Sequence, residues 1–139
     1  MTTPKRPFRV VEIDHLVLRV ADLAASLGFY CEALGCTLER ELPDLGLYQL
    51  RAGHQLIDLV PIGSALGGKT PRGPGTNMDH FCINITPFAA GDLSGWLDVH
   101  GIEHSDSARR YGAHGFGTSV YVTDPDGNTV ELKSGEPVL

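Results

Sequence analysis

The chain holds only three cysteines in 139 residues, and no two of them share a CxxC spacing. Cys31, Cys36 and Cys82 therefore exclude a disulfide scaffold and a thiolate metal cluster, and predict reduced, buried thiols in a cytosolic protein. No stretch approaches the roughly 18 uninterrupted apolar residues of a membrane-spanning helix. Residues 1–9 carry basic side chains but no apolar run ahead of a cleavage site, so no secretory leader is expected and a cytoplasmic location is. Positive charge is scarce as well: eleven Lys and Arg against seventeen Asp and Glu leave a net charge of −6. The basic residues are scattered, which argues against a nucleic-acid surface because phosphate binding needs a concentrated cationic face. The densest basic spot of the second half, Arg109-Arg110, suits one small anion.

What is present suits a single packed domain over residues 1–139, with 42% hydrophobic and 20% charged residues. A chain of this length buries roughly 68–70% of its unfolded surface without staples. Its most informative feature is a repeat. Asp14-His15-Leu16-Val17-Leu18-Arg19-Val20 returns as Asp79-His80-Phe81-Cys82-Ile83-Asn84-Ile85, each copy putting a histidine at the head of an apolar run. Downstream, Leu56-Ile57-Asp58-Leu59-Val60 and Thr129-Val130-Glu131-Leu132 each carry one acid among aliphatics.

Around these segments the spacing predicts a strand over residues 10–20, a helix capped by Asp22 and ended by Gly35, and strands over 37–41, 45–51 and 55–61. Alternation puts Ile13, His15, Val17 and Arg19 on one face of the first strand. The second half repeats the order, with a strand over 78–86, a helix over 87–100 and strands over 102–106, 118–122 and 128–133. A glycine-rich connector, residues 62–77, separates module one (about 10–61) from module two (about 78–134), and its length suits a mobile flap. The fold class read from this order is α+β: two paired β-α-β-β-β modules whose curved mixed sheets enclose a cleft, each unit too small to bury its sheet alone.

Two histidines and two carboxylates at matching module positions form a ligand set for a divalent ion. Burying four ionisable groups without a partner costs several kcal/mol each, a cost a dication removes. The competing reading makes them buried ion pairs, His15 with Glu131 and His80 with Asp58. Weaker candidates for substrate contact are Arg109, Tyr111 and His114 in the glycine-rich stretch 109–117, read as a loop, and the phenols of Tyr48 and Tyr121. His54, His100 and His104 are expected in solvent.

The first strand and helix, Ile13 to Val20 followed by Asp22-Leu23 and Phe29-Tyr30, and the closing Val122-Thr123-Asp124-Pro125-Asp126-Gly127-Asn128-Thr129-Val130-Glu131-Leu132, resemble the vicinal oxygen chelate superfamily of glyoxalase I, extradiol dioxygenases and bleomycin resistance proteins. The resemblance implies a divalent metal (Ni, Zn, Fe, Mn or Co) in the cleft, held by His15, His80 and Glu131. At Asp58 glyoxalase I commonly has Glu or Gln; the shorter Asp58 binds the metal directly, binds through water, or acts as a base. The activity implied is that of a glyoxalase-type lyase or isomerase acting on a small molecule with adjacent oxygens, with Glu131 or Asp58 as catalytic base. Alternatives are a non-haem Fe(II) extradiol-type dioxygenase, and a non-catalytic ligand-binding protein of the resistance type. A homodimer is implied too, with the metal site inside one chain or across two.

Overall fold

Alternating aliphatic and polar residues do form the expected strands. The computed structural model describes residues 7, 9, 11–69, 78 and 80–135; Asp79 and residues 70–77 of the connector lie outside them. Module one runs β1 (His15–Val20), α1 (Leu23–Leu27) continuing as a π-helical turn (Gly28–Ala33), β2 (Thr37–Leu42), β3 (Leu47–Ala52) and β4 (Gln55–Pro61). Module two runs β5 (His80–Ile85), α2 (Ala90–Val99), β6 (Ala108–Gly112), β7 (Gly115–Thr123) and β8 (Thr129–Ser134). The sheets have equivalent orders, β1-β4-β3-β2 and β5-β8-β7-β6.

The equivalence extends to register. β1 lies parallel to β4 with Val17 opposite Asp58, and β5 lies parallel to β8 with Cys82 opposite Glu131. On the other flank Gln49 of β3 faces Asp58, and Tyr121 of β7 faces Glu131. Each acid thus occupies the same node of its sheet, two pairs along from a histidine on the edge strand.

Two expectations are corrected. Residues 102–106 form no strand: His104 makes a single bridge to Val122, while the stretch read as a loop supplies β6. The reason is a tight turn at Gly115, whose φ of 87° suits glycine and brings Ala108–Gly112 antiparallel to β7. The first helix is capped as expected, Ala25 N–H donating to the Asp22 carboxylate (3.1 Å), but widens after Leu27, with Leu34 N–H reaching Phe29 C=O (3.0 Å). The flap expectation falls in large part on residues outside the described ones; in the described start of the connector the Ser64 hydroxyl donates to Pro61 C=O (2.6 Å) and Arg19 Nε to Gly67 C=O (2.8 Å).

One interior serves both modules. Leu18, Val20, Leu50, Ile57 and Leu59 of the first sheet join Val120, Val122, Val130 and Leu132 of the second, around Phe29, Tyr30 and Leu97 of the helical segments. Polar bolts cross the junction. The Tyr30 hydroxyl donates to Asp124 (2.7 Å), Ala21 N–H to Asp126 (2.8 Å), and Trp96 Nε1 to Ala33 C=O (2.8 Å). Asp124 also accepts from the side chain of Asn128 (2.8 Å), so the turn between β7 and β8 both closes a hairpin and holds the modules together. Because the aliphatic faces are spent on this interior, the faces bearing the histidines and acids point the other way.

Candidate functional site

On the first sheet, Asp58 is 4% exposed although it sits on the polar face. Its nearest described donor is Gln49 Nε2, 3.4 Å from both carboxylate oxygens, too long for a strong hydrogen bond. His15 is exposed, with Nδ1 bonded to Asp14 Oδ1 at 2.7 Å. That bond, with a smaller contribution from the negative charge of Asp58, raises the pKa of His15 above its usual value. An imidazole oriented by a carboxylate through one nitrogen presents the other to a metal ion.

On the second sheet, His80 Nε2 stands 3.3 Å from Oε1 of Glu131, itself 6% exposed. Two ligands at right-angled to tetrahedral positions on an ion with bonds of about 2.1 Å stand roughly 3.0–3.4 Å apart. The pair has the spacing of neighbouring ligands on one ion, and the donor set suits a borderline divalent metal. Tyr121 sets its ring edge-on to His80 (centroids 5.5 Å), and the Arg110 guanidinium stands over the Tyr121 ring, 4.3 Å from its centroid. Burial, reinforced by the charge of Glu131, pushes the Cys82 thiol up to about 11.

Among the described residues no three His, Cys, Asp or Glu side chains come together to hold one ion. His15 and Asp58 lie on the first sheet and His80 and Glu131 on the second, so each sheet contributes one candidate histidine and one candidate acid. The cross-module ion pairs, His15 with Glu131 and His80 with Asp58, are replaced by contacts inside each module.

Strand alternation sorts the weaker candidates. Tyr121 shares the face of Glu131, whereas Tyr48 pairs with fully buried Leu59, one step out of phase with Asp58, and packs on the core. Arg109 and Tyr111 flank the ring of Phe116 on the face away from Glu131, Arg109 at 3.8 Å, and His114 sits exposed in the hairpin turn. His54 and His100 are exposed as expected, but His104 is half-buried and bonded to Asp98 (2.9 Å). All three cysteines are free, Cys31 and Cys36 half-buried and Cys82 exposed, so the expectation of buried thiols is corrected. Sequence reading noted Arg110 only together with Arg109 as a spot for a small anion, and it missed Gln49, Ser119 and Lys133. Period-two counting from Glu131 through Lys133 and across to Arg110 would have found the cations, had the hairpin been recognised.

Fold and register together define a protein of paired β-α-β-β-β modules, and the chain belongs to the Glyoxalase/Bleomycin resistance protein/Dioxygenase superfamily, whose family model matches residues 12–132. It is 30% identical over 126 residues to the Virulence protein STM3117 of Salmonella typhimurium, covering 86% of this chain and 81% of that one. The crystal structure of that protein matches with a TM-score of 0.74 over 91% of this chain and 98% of the other. Biphenyl-2,3-diol 1,2-dioxygenase 3 of Rhodococcus globerulus is 30% identical over 124 residues, 87% of this chain and 62% of its own length. A lactoylglutathione lyase from Agrobacterium tumefaciens, 24% identical with a TM-score of 0.65 over 94% of this chain and 96% of the other, shares the fold. No helix among the described residues is long and apolar enough to cross a membrane.

Proposed function

We propose that the chain is a divalent-metal-dependent enzyme of the glyoxalase lyase/isomerase type. It acts as a homodimer in which His15 and Asp58 of one copy and His80 and Glu131 of the partner hold each ion. The observation that carries this reading is the matched register: one imidazole and one nearly buried carboxylate at the same node of two sheets, on faces turned away from the chain's own core. A second copy brings complementary halves together without disturbing that core. The three free thiols support a reducing, cytoplasmic setting.

When bound, the ion supplies Lewis-acid stabilisation of negative charge developing on two adjacent substrate oxygens. The chain's own residues do the rest. Asp14 fixes the ring of His15, and Tyr121 sets the plane of His80. One of the two ligating carboxylates also serves as the base: Asp58, held loosely by Gln49, or Glu131 takes the proton from the carbon bearing one oxygen and returns it to the neighbouring carbon. The polar sheet face excludes bulk water once a partner covers it.

An extradiol-type dioxygenase is the second reading, favoured by the 30% identity to the Rhodococcus globerulus dioxygenase. There His15, His80 and Glu131 form a two-histidine, one-carboxylate set and Asp58 stays outside it. Metal analysis with oxygen-uptake assays on catechols separates the two. His15→Ala and His80→Ala are expected to weaken metal binding by more than the about 10–100-fold typical of outer-shell losses. Unchanged metal content in both variants would end the metal hypothesis, and oxygen consumption on a catechol would replace the lyase by the dioxygenase.

A further inference from the structure

The polar face of the second sheet carries two cations and a single acid. Lys133 follows Glu131 by two residues on β8, so both side chains leave the same face, and Lys133 is 2% exposed. Its ammonium donates to Gly115 C=O (2.9 Å), and its stem runs through a slot left by two glycines. A Cβ on Gly112 would stand 3.1 Å from its Cε, and one on Gly117 3.1 Å from Nζ. Arg110 approaches from β6. Its Nη1 donates to both the carbonyl and the hydroxyl of Ser119 (2.9 Å each), and Ser119 is the partner of Lys133 in the β7–β8 register. Among the described residues neither cation has a carboxylate within ion-pair distance, and Glu131 is engaged by His80.

Two positive charges set into one half-buried wall without a counter-ion are costly unless an anion visits. The guanidinium stands over the Tyr121 ring, and Tyr121 lies edge-on against His80, so Arg110 stands no farther from the His80 ring than the sum of the 4.3 Å and 5.5 Å separations. A small molecule with two oxygens at the half-site and an acid group a few bonds away reaches across any separation within that bound.

We propose that Arg110 is a substrate-binding residue for a carboxylate, with Lys133 supplying a fixed field from beneath, so that the preferred ligand carries a carboxylate beside its two adjacent oxygens. This deepens the reading above and rests on it. Arg110 makes the contact because one edge of its fork is anchored on Ser119 while the rest of the planar group is pre-set on the ring, which suits planar, bidentate carboxylate recognition. Lys133 acts through its charge, being too buried to meet a ligand directly. Were Arg110 only a tether between β6 and β7, the protein would show no preference for acids.

The test titrates catechol, 2,3-dihydroxybenzoate and 3,4-dihydroxybenzoate into Co(II)-loaded protein by calorimetry and visible absorption, and phenol and salicylate into metal-free protein. At least one dihydroxybenzoate is expected to bind about tenfold or more tightly than catechol. Arg110→Gln is expected to collapse that ratio towards one, Lys133→Met to reduce it partly, and Arg110→Lys to preserve part of it. Should Lys133→Met fail to fold, Arg110→Gln carries the test alone, with its melting temperature as control. Equal affinity of all three catechols in the wild type, or an equal loss of every ligand in Arg110→Gln, overturns the proposal. If no metal binds but salicylate still exceeds phenol in an Arg110-dependent way, the anion site stands and the metal reading falls.

Discussion

Two variants damaged in different half-sites are expected to rescue each other when mixed. His15→Ala removes a ligand from the first half-site and Glu131→Ala one from the second, so every site in either homodimer is incomplete. Random pairing of equal amounts, after partial unfolding and refolding together, makes about half the dimers mixed, and in a mixed dimer one site collects both damaged halves while the other collects both intact ones. The mixture should then hold about a quarter of the wild-type metal, against little in either parent. Elemental analysis after gel filtration reads this directly. Two variants in the same half, His80→Ala with Glu131→Ala, leave every site broken in every pairing and serve as control. His15 and Asp58 lie on one sheet and His80 and Glu131 on the other, and among the described residues no three of these side chains come together. A mixture that binds no more metal than the mean of its parents refutes it.

Tyr30→Phe removes the hydroxyl bonded to buried Asp124 and should cost about 1–2 kcal/mol, since Asn128 still serves that carboxylate; urea denaturation measures it, and a change within error would show that the bolt contributes nothing. A Cβ at Gly67 would collide with the Pro61 carbonyl, so Gly67→Ala should lower stability by about 1–3 kcal/mol, and an unchanged melting temperature would contradict that crowding. The hydrogen bond from His104 to Asp98 raises the folded-state pKa of His104 above 6.5, so its stabilisation is complete below about pH 6.5 and lost as pH rises through the folded value. The stability gap between wild type and Asp98→Asn should accordingly shrink from pH 5.5 to pH 8.5, and a constant gap would rule the linkage out.

The two sheets share a frame and have diverged on its polar face. Where module two has Cys82, Tyr121 and Lys133, the equivalent register positions of module one hold Val17, Gln49 and Val60. Only the nodes carrying histidine and acid are kept in both. Val17 is 53% exposed and Ile13 75%, leaving an apolar strip beside His15 of the kind a second copy of the chain would cover.

Much of this was determined by the sequence alone. Period-two alternation places His15 and Asp58 on polar strand faces whatever packs behind them, and the recurrence at His80 and Glu131 announces the second module, because the side-chain period of a strand is a local property of the chain. Tertiary structure decided what depends on non-local pairing. Whether residues 102–106 or 108–112 join the sheet turned on the hairpin at Gly115, and with it the choice of Arg110 over Arg109 as the cation beside Glu131. Tyr48 was lost to the core and Lys133 gained for the polar face by the same one-residue phase. The shared interior was likewise set by packing, since the aliphatic faces of both sheets bury against the helical segments and leave the histidines and acids on the opposite face of each sheet.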